Sequence, residues 1–192
     1  IALKQDYAEA FYNLANILKD KNKLNEAVTN YLQAITFKSN YASAHNNLGV
    51  AFAALERFTE AETSYREAIK LNPYYSEAHY NLGNTLQEIG NLVEAEGSLR
   101  QAIKLQPNYA KAHSNLGIIL VKLGRLEEGV EAHKTSLKIQ PNNGEFLSNL
   151  SNAKSQTVSS WHVPMMNEDG RNEAYRKALS TAINGGELVL DI

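Results

Sequence analysis

ASAHNNLGVAFAALERFTEAETSYREAIKLNPYY at residues 42–75 runs without a gap into SEAHYNLGNTLQEIGNLVEAEGSLRQAIKLQPNY at residues 76–109, and the two stretches keep the same residue types in the same places. The step is 34 residues and extends both ways, because Leu14, Leu48, Leu82, Leu116 and Leu150 each stand one step apart. Small residues follow them at Ala15, Gly49, Gly83, Gly117 and Ser151, and a second small column runs Ala27, Ala61, Ala95, Gly129. Large residues stand at Tyr31, Tyr65, Leu99 and His133, with Ala34, Ala68, Ala102 and Ser136 three positions later; Pro73, Pro107 and Pro141 then close the unit. A fixed period of this length marks a stacked-repeat architecture rather than one globular core.

Apolar and small residues recur at helical spacing in two blocks per unit, so each unit is two helices, with the small residues where the helices approach closely. First helices are predicted near 8–20, 42–54, 76–88, 110–122 and 144–155, and second helices near 24–38, 58–71, 92–105 and 126–139. The turn between them carries Asn22, Gly90 and Gly124, which tolerate the left-handed conformation that ends a helix, while Glu56 interrupts that column. The prolines break the second helix, and Asp6, Asn40, Asn108 and Asn142 are available as caps for the next first helix. Ser39 stands where later repeats have proline. Ile1 and Leu3 fall in phase with Ile35 and Phe37, inside a second helix. The chain is therefore expected to begin mid-repeat, with further repeats before residue 1 in the natural protein.

Over residues 1–155 these columns resemble the tetratricopeptide repeat family. The resemblance implies an all-α, right-handed solenoid with four full repeats from about 8 to 143 and partial repeats at both ends, whose first helices line a concave groove that holds a protein or extended peptide. Exposed solenoid ends would also permit self-association.

On the groove side Asn13, Asn47, Asn81, Asn115 and Asn149 form one column. Each carboxamide offers a donor and an acceptor, a match for a peptide backbone whatever its side chains. Helices pack on the order of 10 Å apart and an extended chain rises roughly 3.3 Å per residue, so about three ligand residues pass each asparagine. The column is similar to the asparagine ladder of O-linked N-acetylglucosamine transferases and to asparagines in the chaperone-tail clamps of the family. Two other readings stay open: the asparagines bond to neighbouring helices, or they persist from duplication of one ancestral repeat. Side-chain selectivity would come from Tyr12, Asn16, Tyr80, Asn84, Gln87 and Lys122, which differ between repeats.

His45, His79 and His113 also recur every 34 residues. Imidazoles roughly 10 Å apart cannot share one ion at a zinc–nitrogen distance of about 2 Å, so packing rather than metal binding is expected. Tyr7, Tyr41, Tyr75 and Tyr109, just ahead of each first helix, read as packing between repeats.

After Leu150 the pattern stops: Lys154 replaces an apolar residue, and Gln156, Thr157, Ser159 and Ser160 suggest a polar linker over 156–160. Residues 161–192 then read as a helix followed by the strand Glu187-Leu188-Val189-Leu190-Asp191-Ile192. His162, Met165, Arg171 and Tyr175 resemble, in type and spacing, the entry to a protein arginine methyltransferase domain. That resemblance implies S-adenosylmethionine as cofactor of the parent protein, with Arg171 on its carboxylate, His162 and Tyr175 nearby, and Met165 against the substrate arginine. The family's glycine-rich turn and acidic pair lie beyond Ile192, so no catalytic set is complete here and no bound cofactor is expected.

Nineteen basic and 21 acidic side chains give a net charge of −2, a balance that does not favour nucleic acid or an anionic membrane. The absence of cysteine excludes disulfides and thiolate zinc sites and suits a cytoplasmic protein. No apolar run approaches the roughly 20 residues that span a bilayer. The function expected is peptide or protein binding, as the recruiting arm of a methyltransferase, with a non-catalytic scaffold or a glycosyltransferase arm as alternatives.

Overall fold

The computed structural model describes the backbone of residues 2–165 and the side chains of residues 7–157. Among the described residues there are nine helices and no strand. First helices are α1 (Ala2–Asp20), α3 (Ala42–Ala54), α5 (Ser76–Ile89), α7 (Ala110–Lys122) and α9 (Gly144–Met165); second helices are α2 (Leu24–Phe37), α4 (Phe58–Leu71), α6 (Leu92–Leu105) and α8 (Leu126–Ile139). Each helix packs on the next in the chain, and first helices of adjacent repeats also touch one another, whereas second helices stay further apart. The layers converge on the first-helix side, which makes it the inner face of the solenoid.

The columns have a direct steric meaning. A Cβ added to Gly49 would lie 2.6 Å from the Tyr65 ring, one on Gly83 2.8 Å from Leu99, and one on Gly117 2.7 Å from His133. The small residue of the first helix is thus the seat of the large residue of the second, and the pair sets how closely the two helices approach. Leu48, Leu82 and Leu116 are buried between repeats, while Leu14 on α1, the first described helix, is 45% exposed.

Every turn inside a repeat places one residue in the left-handed region: Asn22 at φ 58°, Glu56 at 59°, Gly90 at 90° and Gly124 at 77°. Glu56 therefore obeys the column in conformation although not in residue type. The expected caps are corrected. Tyr41, Tyr75 and Tyr109 occupy the N-cap positions of α3, α5 and α7 with no side-chain cap bond, so Asn40 and Asn108 do not serve there. Tyr41 packs on Tyr12 with centroids 4.9 Å apart and Tyr109 on Tyr80 at 4.8 Å. Such ring contacts contribute about 0.5–1.5 kcal/mol, comparable to the ~1 kcal/mol of a cap. Ahead of α9 it is Asn143, not Asn142, that accepts from a helix N–H, that of Phe146 at 3.2 Å.

Both ends differ from expectation. α1 starts at Ala2 without a break ahead of residue 8; Gln5 holds the column where later repeats have proline, and Ala, Leu, Lys and Gln are good helix formers. α9 runs through 156–160, where a linker was expected. The side chains of His162 and Met165, and all of Arg171, Tyr175 and the expected strand, lie outside the described residues.

The His45, His79 and His113 rings each use Nε2 to bond a main-chain carbonyl six residues back, on Ser39 (3.1 Å), Pro73 (3.1 Å) and Pro107 (2.9 Å). They fasten the turn between repeats. No described helix is long and apolar enough to cross a membrane.

Candidate functional site

The asparagine column lies where first helices meet, and the meeting is polar. Asn47 on α3 donates to the Tyr12 hydroxyl at 3.1 Å and to Asn16 Oδ1 at 3.0 Å, both on α1. Asn81 on α5 donates to Asn46 Oδ1 at 3.1 Å. Asn115 on α7 repeats the first pattern, to the Tyr80 hydroxyl at 3.4 Å and Asn84 Oδ1 at 2.7 Å, and Asn149 on α9 donates to Ser114 Oγ at 3.2 Å. Every one of these donors points to the preceding first helix. Asn13, on α1, is exposed and makes no such bond. The amide nitrogens therefore join repeats, as the neighbouring-helix reading anticipates.

The carbonyl oxygens are in a different state. Asn47 Oδ1 accepts from Asn46 at 3.3 Å, but among the described residues Asn81, Asn115 and Asn149 have no donor on their oxygens. Among the described residues the sole buried side-chain polar atom without a partner is His133 Nδ1, so those three oxygens reach solvent. Each is fixed in place by the bonds its own nitrogen makes.

Tyr12, Asn16, Tyr80 and Asn84, expected to confer selectivity, are thus the acceptors that hold Asn47 and Asn115. Asn16 also accepts from the Tyr31 hydroxyl at 2.7 Å. The sequence reading missed Asn46 and Ser114, both 0% exposed, which take over as acceptors in the alternate repeats. They fall in the column one residue before the ladder, which reads Tyr12, Asn46, Tyr80, Ser114, and the alternation of tyrosine with a smaller polar residue was the available signal. Burial foremost, then Tyr80 and Glu77, pushes the Tyr109 phenol up to about 12, so the ring packed on Tyr80 stays neutral at neutral pH.

The inner face alternates with a period of two repeats. Three residues past the ladder stand Asn16, Val50, Asn84 and Ile118, and six past it Lys19, Ala53, Gln87 and Val121. At these two positions polar side chains on α1 and α5 alternate with apolar ones on α3 and α7, although the same face of α7 also carries Lys111 and Lys122.

The outer side is occupied by its own charges. Arg66 pairs with Glu62 (2.9 Å) and across to Glu94 (2.5 Å). Glu96, Arg100, Glu128 and Arg125 close a ring linking α6 to α8 through contacts of 2.8, 3.5, 2.6 and 2.8 Å. The open outer groove of about 550 Å³ is flanked by Arg100 and Glu128 of this ring. The described residues of the first helices take part in none of the ion pairs.

A repeat array of helix pairs at a 34-residue period defines the class, and family models agree with it. Models of the tetratricopeptide repeat match residues 15–56, 51–90, 76–109 and 98–131, more than half of the chain taken together. The chain belongs to the tetratricopeptide repeat family. No match among curated proteins reaches significance. Solved structures share the fold. MamA (residues 41 to the end) from Desulfovibrio magneticus RS-1 is 20% identical with a TM-score of 0.75, over 95% of this chain and 98% of that one. YrrB, a tetratricopeptide repeat protein with an unusual peptide-binding site, is 22% identical with a TM-score of 0.67, over 88% and 84%. Pseudomonas aeruginosa PilF is 20% identical with a TM-score of 0.73, over 81% and 71%.

Proposed function

We propose that the inner face holds an extended peptide segment of a partner protein through the asparagine column. The observation that carries this is the set of half-buried carboxamides at Asn81, Asn115 and Asn149 whose nitrogens are anchored to the neighbouring helix while their oxygens reach solvent without a donor among the described residues. An acceptor already fixed in orientation loses little entropy on binding a peptide N–H, which is what preorganisation contributes. Peptide binding by the structural neighbour YrrB supports the same reading.

The test is fluorescence anisotropy with labelled peptides of mixed extended sequence, on the chain and on its Asn81→Ala/Asn115→Ala variant, with circular dichroism alongside. Affinity should fall about tenfold or more, some 1.4 kcal/mol, with helical content retained. Unchanged affinity in a folded variant overturns the role.

The finer reading, that this module recruits proteins to an S-adenosylmethionine-dependent arginine methyltransferase in the cytoplasm, is supported by the spacing of His162, Met165, Arg171 and Tyr175 alone; the matched family models end at residue 131. Labelled methyl transfer by the natural full-length protein, lost on Arg171→Ala, would establish it, and no transfer would favour a non-catalytic scaffold.

A further inference from the structure

The ladder is not one equal grip per repeat, because the hydrogen-bond valences of its asparagines differ. Asn47 and Asn115 have committed both amide hydrogens, whereas Asn81 and Asn149 have committed one each and Asn13 none. A carboxamide that can both donate to and accept from a ligand backbone therefore recurs at Asn13, Asn81 and Asn149, at 68-residue steps, or two repeats.

Two other features keep the same double step. Residues spaced i, i+4, i+7 and i+11 share one helix face. On α1 that stripe reads Glu9, Asn13, Asn16, Asp20, and on α5 it reads Glu77, Asn81, Asn84, Glu88. Among the described residues their four carboxylates have no ion-pair partner, although acidic residues on the second helices repeatedly do. The stripe between them, on α3, reads Ser43, Asn47, Val50, Ala54 and carries no charge. The tyrosine pairs Tyr12–Tyr41 and Tyr80–Tyr109, with centroids 4.9 and 4.8 Å apart, also recur two repeats apart.

Resting on the peptide-binding reading above, we propose that the inner face takes an extended peptide carrying two cationic side chains about six residues apart, opposite α1 and α5, with an apolar side chain midway over Val50 and Ala53. The spacing follows from two helix separations of on the order of 10 Å and a rise of roughly 3.3 Å per residue. Charge complementarity selects cations: each end of the α1 and α5 stripes presents a carboxylate that is unpaired among the described residues. Val50 and Ala53, half-buried against the core, supply the apolar seat between them.

The probe is a fluorescein-labelled peptide, Gly-Ser-Arg-Ser-Ser-Leu-Ser-Ser-Arg-Ser-Gly, set against an isomer of the same composition with its arginines three residues apart. The six-residue spacing should bind about tenfold tighter, and Glu9→Gln/Glu77→Gln should abolish that preference. Equal binding of the isomers, or a preference that survives the substitutions, overturns the register. If both isomers bind equally and both weaken in Asn81→Ala/Asn115→Ala, the register fails while the ladder stands. If neither binds and the asparagine variants leave mixed-sequence peptides unaffected, both readings fail.

Discussion

The His133 imidazole occupies the space into which a Cβ on Gly117 would project, with ring atoms 2.7–2.8 Å from that point. Gly117→Ala must push the ring or separate α7 from α8, at a cost of about 1–3 kcal/mol. Gly97, helical on α6 with nothing near its Cβ direction, provides the contrast: Gly97→Ala should stabilise by up to about 1 kcal/mol. Urea midpoints moving in opposite directions would show that the small column is a seat rather than a composition bias.

Burial lowers the pKa of His133 from its ordinary 6.5. Below pH 6.5 the unfolded chain takes up a proton that the folded chain resists, so stability is full above that pH and falls as pH drops toward the depressed folded value. His133→Leu installs the residue that Leu99 provides one repeat earlier. The wild-type denaturation midpoint should fall between about pH 7 and pH 5.5, and the variant should lose most of that slope; equal slopes would remove His133 as the cause.

Glu56 holds φ at 59°, a conformation its equivalents Gly90 and Gly124 adopt freely. Glu56→Gly should therefore raise stability by about 0.5–1 kcal/mol, because relief of a left-handed side chain outweighs the added freedom of the unfolded chain. A thermal melt suffices, and a lower melting temperature would show that the glutamate makes a compensating contact.

Asn46 is 0% exposed, donates to Asn47 and accepts from Asn81. Asn46→Ala leaves the Asn81 amide without its acceptor and should cost about 1–3 kcal/mol. Asn13→Ala, at an exposed helix position with no such bond, should cost nothing and gain up to about 0.7 kcal/mol from helix propensity. The comparison separates asparagines that assemble the array from one free to meet a ligand.

The helix boundaries were legible because the small, large and proline columns are steric requirements of the repeat itself. The caps were not: Tyr41 and Tyr109 sit at positions where asparagine is the usual expectation, and the ring contacts that favour them are made with residues 29 positions earlier. The ladder's column was visible, but its division of labour was not, because the acceptors Tyr12, Asn46, Tyr80 and Ser114 lie 35 residues from their donors and differ in residue type. At the far end, polar residues after Leu150 read as a linker, yet they continue α9. With fewer described helices packed around α9, apolar periodicity is no longer demanded there, and the pattern that marks a helix elsewhere fades.

The alternation of polar and apolar side chains at those two inner-face positions gives the solenoid a parity. Inserting one 34-residue unit between α4 and α5 would leave every helix pair correctly seated, since the steric columns repeat with each unit. It would nonetheless put each stripe downstream out of phase with those upstream. Inserting two units restores the phase, so an array of this kind can grow or shrink in pairs without rewriting its inner face, and in single steps only by changing it.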